Sequence, residues 1–281
     1  MAPGTKRMRP RYTRANEDGM KLHLREVRAG RRLYRVVTLR PGVEAAFSTN
    51  YFHGTWHLVT DGPGARLLAR LLWGLAYQRQ PGTVVLIHRE QLRPTPFDAD
   101  PSDPILLVPE HLTAHDADAL LALRRQISRP GPTATIRWHT YGLDQRLAED
   151  AYRSDDEEWK LFERDRCRER CDRVGGFICY TAPEAVLKYR ANRVHRLNER
   201  ERSDYHFLAE RGGQWGDGEV QIFRDYHQQL SDATIARREV LAALERPVDP
   251  ETLRERVWTR KAERERRREV SRRDGGYAFS R

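Results

Sequence analysis

The sequence has few cysteines and no long apolar run, and these shortages exclude several classes of protein. Its three cysteines, Cys167, Cys171 and Cys179, are odd in number and clustered, unlike the disulfide framework of a small secreted protein. No apolar stretch approaches the roughly 18 residues that a membrane-spanning helix needs. The N-terminal segment lacks the apolar region of a secretory signal. These features predict a cytoplasmic protein without membrane insertion.

Lysine is also scarce, whereas arginine is abundant. Only five of the 51 basic residues are lysines, a preference typical of a high-GC bacterial genome. The charge is unevenly placed: residues 1–40 contain twelve Lys or Arg against three Asp or Glu, and residues 250–281 contain eleven against six. Codon preference explains arginine in place of lysine but does not explain two basic ends. This distribution favours a polyanionic partner over charge that is merely solvated.

The stretch 55–89 determines the predicted fold. It contains a strand, a Gly-rich turn, a helix that is apolar on almost all sides, a Pro-Gly break and a second, continuously apolar strand. Such a helix must be covered on more than one face, and such a strand is typical of a sheet buried on both faces. The same order occurs at 105–139. The pattern predicts an α/β fold, with α+β as the alternative, in which a mixed sheet contains βαβ units over residues 20–142.

Changes in composition predict how the chain is organised. Residues 1–19 are predicted to be a mobile basic arm and residues 20–143 an α/β domain. A charged connecting helix is predicted over 144–174. A mainly helical part with one short strand follows over 175–246, and a basic helix and tail over 247–281.

A Gly-rich turn lies where the first strand of the 55–89 stretch leads into its helix. Free N–H groups and the positive end of a helix dipole meet at such a place, so Asp61, Gly62 and Gly64 are candidate anion-binding residues. The complete G-x-G-x-x-G and Walker A patterns are absent. The alternative is a structural turn in which Asp61 caps the helix.

The cysteines are candidate metal ligands. Cys167 and Cys171 are four residues apart in a segment predicted to be helical, so they are predicted to share one helix face. Cys179 follows after a Gly-Gly turn, and His195 or His206 would complete a tetrahedral zinc site. The spacing differs from the C-x2-C pairs of structural zinc. The alternative is three reduced cysteines and no cofactor.

Histidines are the remaining candidates for chemistry. His53 and His57 would lie about 13 Å apart on an extended strand, too far to share a metal ion unless the chain bends at Gly54. His88 and His139 are predicted to lie at strand ends, where α/β sheets often carry their sites. No nucleophile-elbow or metalloprotease motif is present, so no catalytic residue is identified.

The basic ends supply the candidate nucleic-acid contacts. These residues are Arg7, Arg9, Arg11 and Arg14 near the N-terminus and Arg260, Lys261, Arg264, Arg266, Arg267, Arg268, Arg272 and Arg273 near the C-terminus. The aromatic residues nearby, which are candidates for stacking on bases, are Tyr205, Phe207, Trp215 and Trp258.

The leading hypothesis is a non-enzymatic accessory protein, plasmid- or phage-encoded, that contacts the phosphate backbone of DNA or RNA through its basic ends. One alternative is a metal-dependent hydrolase or nuclease acting on nucleic acid. The other is a protein-interaction module with solvated Arg-rich helices, whose partner binds the C-terminal helices.

Overall fold

The structure is a computed structural model that describes residues 19–129, 131, 133–148, 156–209 and 218–276. Within this part, the side chains of 19, 156–158 and 269–276 are not described. The arginines predicted in the N-terminal arm (Arg7, Arg9, Arg11 and Arg14) and Trp215 lie outside the described residues.

The described chain contains both strands and helices, numbered here in chain order. The strands are β1 (Gly19–Ala29), β2 (Arg32–Thr38), β3 (Phe47–Phe52), β4 (Thr55–Thr60), β5 (Thr83–Ile87), β6 (Ile105–Pro109), β7 (Ala134–His139), β8 (Arg170–Val174), β9 (Phe177–Ala182), β10 (Ser203–Leu208) and β11 (Gly218–Phe223). The α-helices are α1 (Gly62–Ala76), α2 (Ala117–Ile127), α3 (Leu143–Ala148), α4 (Asp156–Asp165), α5 (Glu184–His195), α6 (Tyr226–Ala242) and α7 (Pro250–Gly276).

The strands form two mixed sheets. The larger sheet has seven strands in the order β7-β1-β2-β5-β6-β9-β8, and its β2–β5 and β6–β9 pairs are parallel. The smaller sheet has four strands in the order β10-β11-β4-β3, and its β11–β4 pair is parallel. The α/β prediction with a mixed sheet and a helical C-terminal part is therefore confirmed.

The strand–helix–strand order of the predicted βαβ units is present, but the two strands of each unit are not neighbours in one sheet. Helix α1 does follow β4 and precede β5, yet β4 belongs to the smaller sheet and β5 to the larger one. Strands β6 and β7 share the larger sheet but are separated by β5, β2 and β1. Hydrophobic patterning reports how deeply a strand is buried and does not report which strand pairs with it.

Helix α1 lies between the two sheets, which explains why it is apolar on almost all sides. Its side chains join a core formed by the inner faces of both sheets and by α5. A second core lies between the opposite face of the larger sheet and α2. A third, small core lies between the outer face of the smaller sheet and α6. The molecule is thus a stack of layers in which α7 packs on α6.

The predicted boundary near residue 143 does not separate the sheets. Strand β9 pairs with β6, and β11 pairs with β4, so each sheet takes strands from both sides of that boundary. The predicted helix over 144–174 is wrong, since its described residues form α3, α4 and β8. Gly175 and Gly176, with φ of 58° and 79°, join β8 and β9 in a hairpin that the charged composition concealed.

The described residues of the segment 175–246 include three strands rather than the predicted one, since β10 and β11 accompany β9. In the described part of the chain, no helix has the length and apolarity that crossing a membrane would need.

Candidate functional site

The outer face of the smaller sheet carries a row of polar side chains. Asn50 on β3 lies opposite His57 on β4, and His57 lies opposite Glu219 on β11. Because side chains alternate along a strand, the neighbours Leu58 and Val220 point to the opposite face and are buried in the core between the sheets. The row therefore faces away from the main core, towards the C-terminal helices.

Helix α7 lies over this face and is held there by a buried lysine. The Lys261 ammonium donates to the Pro96 carbonyl at 2.8 Å and to Gln229 Oε1 at 3.4 Å. Burial lowers the pKa of Lys261. Lys261 was predicted to contact nucleic acid, but its side chain is buried and links α7 to α6 and to the loop before β6.

A cavity of about 380 Å³ remains between the sheet and α7. Three aromatic rings line it, those of Phe52, Phe97 and Trp258. The polar side chains that line it are those of Asn50, His57, Gln221, Lys261 and Glu265. An apolar cavity with a few convergent polar groups is the usual composition of a ligand site.

His57 lines the cavity, and Glu219 lies next to it on β11. His57 Nδ1 lies 3.8 Å from Glu219 Oε1, which is close but longer than a hydrogen bond. This Nδ1 is buried and has no hydrogen-bond partner among the described atoms. Burial raises the pKa of Glu219 to about 7 and lowers the pKa of His57. Perturbed pKa values of this kind cluster at functional sites.

Most of the predicted arginines of α7 whose side chains are described bind the helix to the rest of the protein. Arg260 and Arg264 both donate to Glu239 on α6, at 2.6 and 2.9 Å. Arg268 pairs with the buried Asp232 on α6. Arg266 and Arg267 are exposed. The predicted Arg272 and Arg273 lie within the helix, but their side chains are outside the description.

The hairpin between β3 and β4 carries aromatic rings that the sequence analysis did not single out. Its turn consists of His53 and Gly54, both with positive φ, so the chain does bend at Gly54. Tyr51 and Phe52 are exposed beside this turn, and the Phe52 ring meets Trp258 of α7 edge-on, with centroids 6.0 Å apart. Trp258, which was a predicted stacking residue, thus lies at the cavity.

The predicted anion-binding turn is occupied by the protein's own carboxylates. Gly64 N donates to Asp61 Oδ1 at 2.8 Å, so Asp61 caps α1. The Glu199 carboxylate, which pairs with Arg66, packs against Gly62, where an added Cβ would overlap it. A Cβ on Gly64 would lie 1.9 Å from Thr60 Oγ1. These contacts support the structural alternative for Asp61, Gly62 and Gly64.

The predicted metal ligands do not converge. Cys167 lies in an exposed turn before β8, whereas Cys171 lies in β8 itself and is buried between the sheets. Cys179 on β9 points to the opposite face, into the core beneath α2, and His195 ends α5. Over the described ranges, no three side chains of His, Cys, Asp or Glu are grouped closely enough to hold a metal ion.

The other predicted residues are dispersed. His206 accepts a hydrogen bond from Arg190 at 2.9 Å and is part of a buried network. His88 follows β5, and His139 ends β7. Strands β1 and β2 lie between these two strands in the larger sheet. Tyr205 and Phe207 contact each other edge-on at 5.2 Å on β10.

Three residues that were candidates from the sequence line the cavity: His57, Trp258 and Lys261. No sequence signal indicated Glu219, which lies opposite His57 but 162 positions later in the chain. Comparisons with protein-family models, with curated proteins and with solved structures found no match to this chain.

Proposed function

We propose that this protein binds nucleic acid as a non-enzymatic accessory protein and contacts the phosphate backbone through its basic ends. The observation that carries the proposal is the combination of exposed arginine and exposed aromatic rings on one surface of α7. Trp258, Ala262 and Arg266 follow at four-residue spacing, so they share one helix face. Phe52 joins this surface through its contact with Trp258.

Exposed arginines along α7 support the same proposal. Arg256, Arg266 and Arg267 are exposed, and over residues 255–267 the exposed acid is Glu255. A helix rises 1.5 Å per residue, so Arg256 and Arg266 are about 15 Å apart along the axis. Cations spread over this length suit a chain of phosphates better than a single small anion. Phosphate contacts of this kind carry no base information.

The test is fluorescence anisotropy of labelled duplex DNA, single-stranded DNA and RNA over a salt series. The triple variant Arg256→Gln, Arg266→Gln, Arg267→Gln removes up to three phosphate contacts. Each contact contributes about 0.9 to the log–log salt slope on duplex DNA, so we expect the slope to flatten by roughly 2–3 units.

A matched control removes the same charge elsewhere. Arg124, Arg125 and Arg129 are exposed at the end of α2, on the far side of the larger sheet. Their triple Gln variant should change the slope by less than about one unit. If both variants flattened the salt slope equally, the nucleic acid would be attracted to the overall charge of the protein and not to the α7 surface. No binding of any probe by wild type at 50 mM salt would overturn the proposal.

The N-terminal arm is tested separately. Deleting residues 1–18 removes five basic residues and should flatten the slope further in the wild-type background. An unchanged slope would limit the contact surface to the C-terminal helix.

A further inference from the structure

We infer that the cavity beneath α7 binds one unpaired nucleobase, an inference that rests on the proposed nucleic-acid binding. At about 380 Å³ the cavity lies near the lower end of the roughly 300–1,000 Å³ typical of ligand pockets. It is therefore suited to a single planar heterocycle. Ala262 of α7 lines the cavity, and the exposed Arg266 follows one helical turn later. A base inside would leave its phosphate near this arginine.

The apolar part of the cavity has the chemistry of a stacking site. Phe52 and Trp258 lie at one side, and Phe97 lines the cavity from the loop before β6. The Phe97 ring is fixed by an edge-on contact with Phe223, with centroids 5.6 Å apart. Proteins that bind single strands stack successive bases on aromatic side chains, and every base offers a π-face for this contact.

The polar part of the cavity matches the edge of a base. Asn50 and Gln221 line it from β3 and β11, on either side of β4, and each carboxamide offers both a donor and an acceptor. Carboxamides form paired hydrogen bonds with base edges. The buried His57 Nδ1 has no hydrogen-bond partner within the described part of the chain. A bound base would satisfy such a group.

The walls of the cavity are held in place without a ligand. Arg254 of α7 donates to Asp98 at 2.9 Å, and Asp98 also accepts from Thr95 at 2.7 Å. Lys261 donates to the carbonyl of Pro96 in the same loop. These contacts hold the loop that carries Phe97 against α7, the helix that carries Trp258. A preformed site loses less conformational entropy on binding.

The experiment compares full-length wild type with Trp258→Ala, using oligo-dT, oligo-dA and a duplex as probes. Trp258→Ala should weaken single-strand binding by roughly 5- to 150-fold, the change that corresponds to about 1–3 kcal/mol per stacked base. The salt slope on the duplex should stay unchanged, because Trp258 carries no charge. Duplex affinity should fall by less than single-strand affinity, because duplex bases are not available to the cavity. Trp258→Phe should restore most of the loss, and Asn50→Leu should weaken single-strand binding without affecting duplex binding.

The matched control is Trp159→Ala, which removes an exposed indole from α4, outside the cavity. Equal effects of Trp159→Ala and Trp258→Ala, or no effect of Trp258→Ala, would overturn the base site. The proposed function would still stand in that case if the α7 arginine variant flattened the salt slope. Absence of all binding by wild type would overturn both.

Photo-crosslinking of an iodouracil-containing single strand, mapped by mass spectrometry, identifies the residues that contact the base. The expected crosslink is to Trp258 or Phe52. Crosslinks confined to aromatic residues outside the cavity, such as Tyr141 or Trp159, would overturn the inference.

Discussion

Glu169 accepts two hydrogen bonds from the Arg190 guanidinium, at 2.9 and 2.8 Å, and both side chains are almost fully buried. The Tyr180 hydroxyl also donates to Glu169, and Arg190 Nη1 donates to His206 Nε2. Burial, together with the nearby charge of Arg190, lowers the pKa of His206 to about 3, so this ring is a neutral acceptor. The network links the larger sheet, α5 and the smaller sheet through β9 and β10.

Glu169→Gln should destabilise the protein by about 3–5 kcal/mol, because it leaves the buried guanidinium without its carboxylate. The measurement is the free energy of unfolding from urea titration. Glu163→Gln is the control, since Glu163 forms an ion pair with Arg166 at the surface and should cost less than about 1 kcal/mol. Adding Arg190→Met to Glu169→Gln should recover part of the loss. Similar stability of the two single variants would contradict this account.

The sequence predicted local structure better than long-range pairing. The apolar pattern of α1 and β5 indicated buried elements, and both are buried. The same pattern could not show that β4 and β5 lie in different sheets, because strand pairing depends on contacts between distant segments. The charged segment before Gly175 gave no indication of β8, in which Arg170, Asp172 and Arg173 are exposed and Cys171 is buried.

The candidate site was less predictable than the fold. Arginines of α7 that look alike in sequence have different roles, because helix geometry turns Arg264 and Arg268 towards α6 and Arg266 towards solvent. The cavity needs β3, β4, β11 and α7 together. No local sequence pattern indicates that Glu219 lies beside His57 or that Lys261 is buried.

The double variant Arg264→Gln, Arg268→Gln should lower stability by about 2–3 kcal/mol. It removes a hydrogen bond to Glu239 and leaves Asp232, which is 3% exposed, without its arginine. The matched variant Arg266→Gln, Arg267→Gln alters exposed residues and should stay within about 0.5 kcal/mol of wild type. Thermal unfolding measures both. Equal melting temperatures would show that the paired arginines do not hold α7 on α6.

Cys167 should be the fast-reacting thiol of the folded protein. It is exposed, whereas Cys171 and Cys179 are buried. Burial raises the pKa of Cys179 to about 12, so its thiolate is scarce at pH 8. Alkylation with iodoacetamide, mapped by mass spectrometry, should modify Cys167 first, and all three cysteines should react in urea. Cys167→Ser should remove the fast phase. Equally fast modification of Cys179 in the native protein would contradict its buried, protonated state.

Glu219 should make stability fall as pH rises from about 4.5 to about 7. Burial raises its pKa to about 7, so the folded protein binds a proton here that the unfolded chain has already released. Ionising a side chain that is 8% exposed opposes folding, by up to about 3 kcal/mol over this range. The free energy of unfolding of Glu219→Gln minus that of wild type should therefore increase between these pH values and then level off. Glu245→Gln, which removes an exposed carboxylate, is the matched control. A change with pH for Glu219→Gln no larger than that of the control would contradict the raised pKa of Glu219.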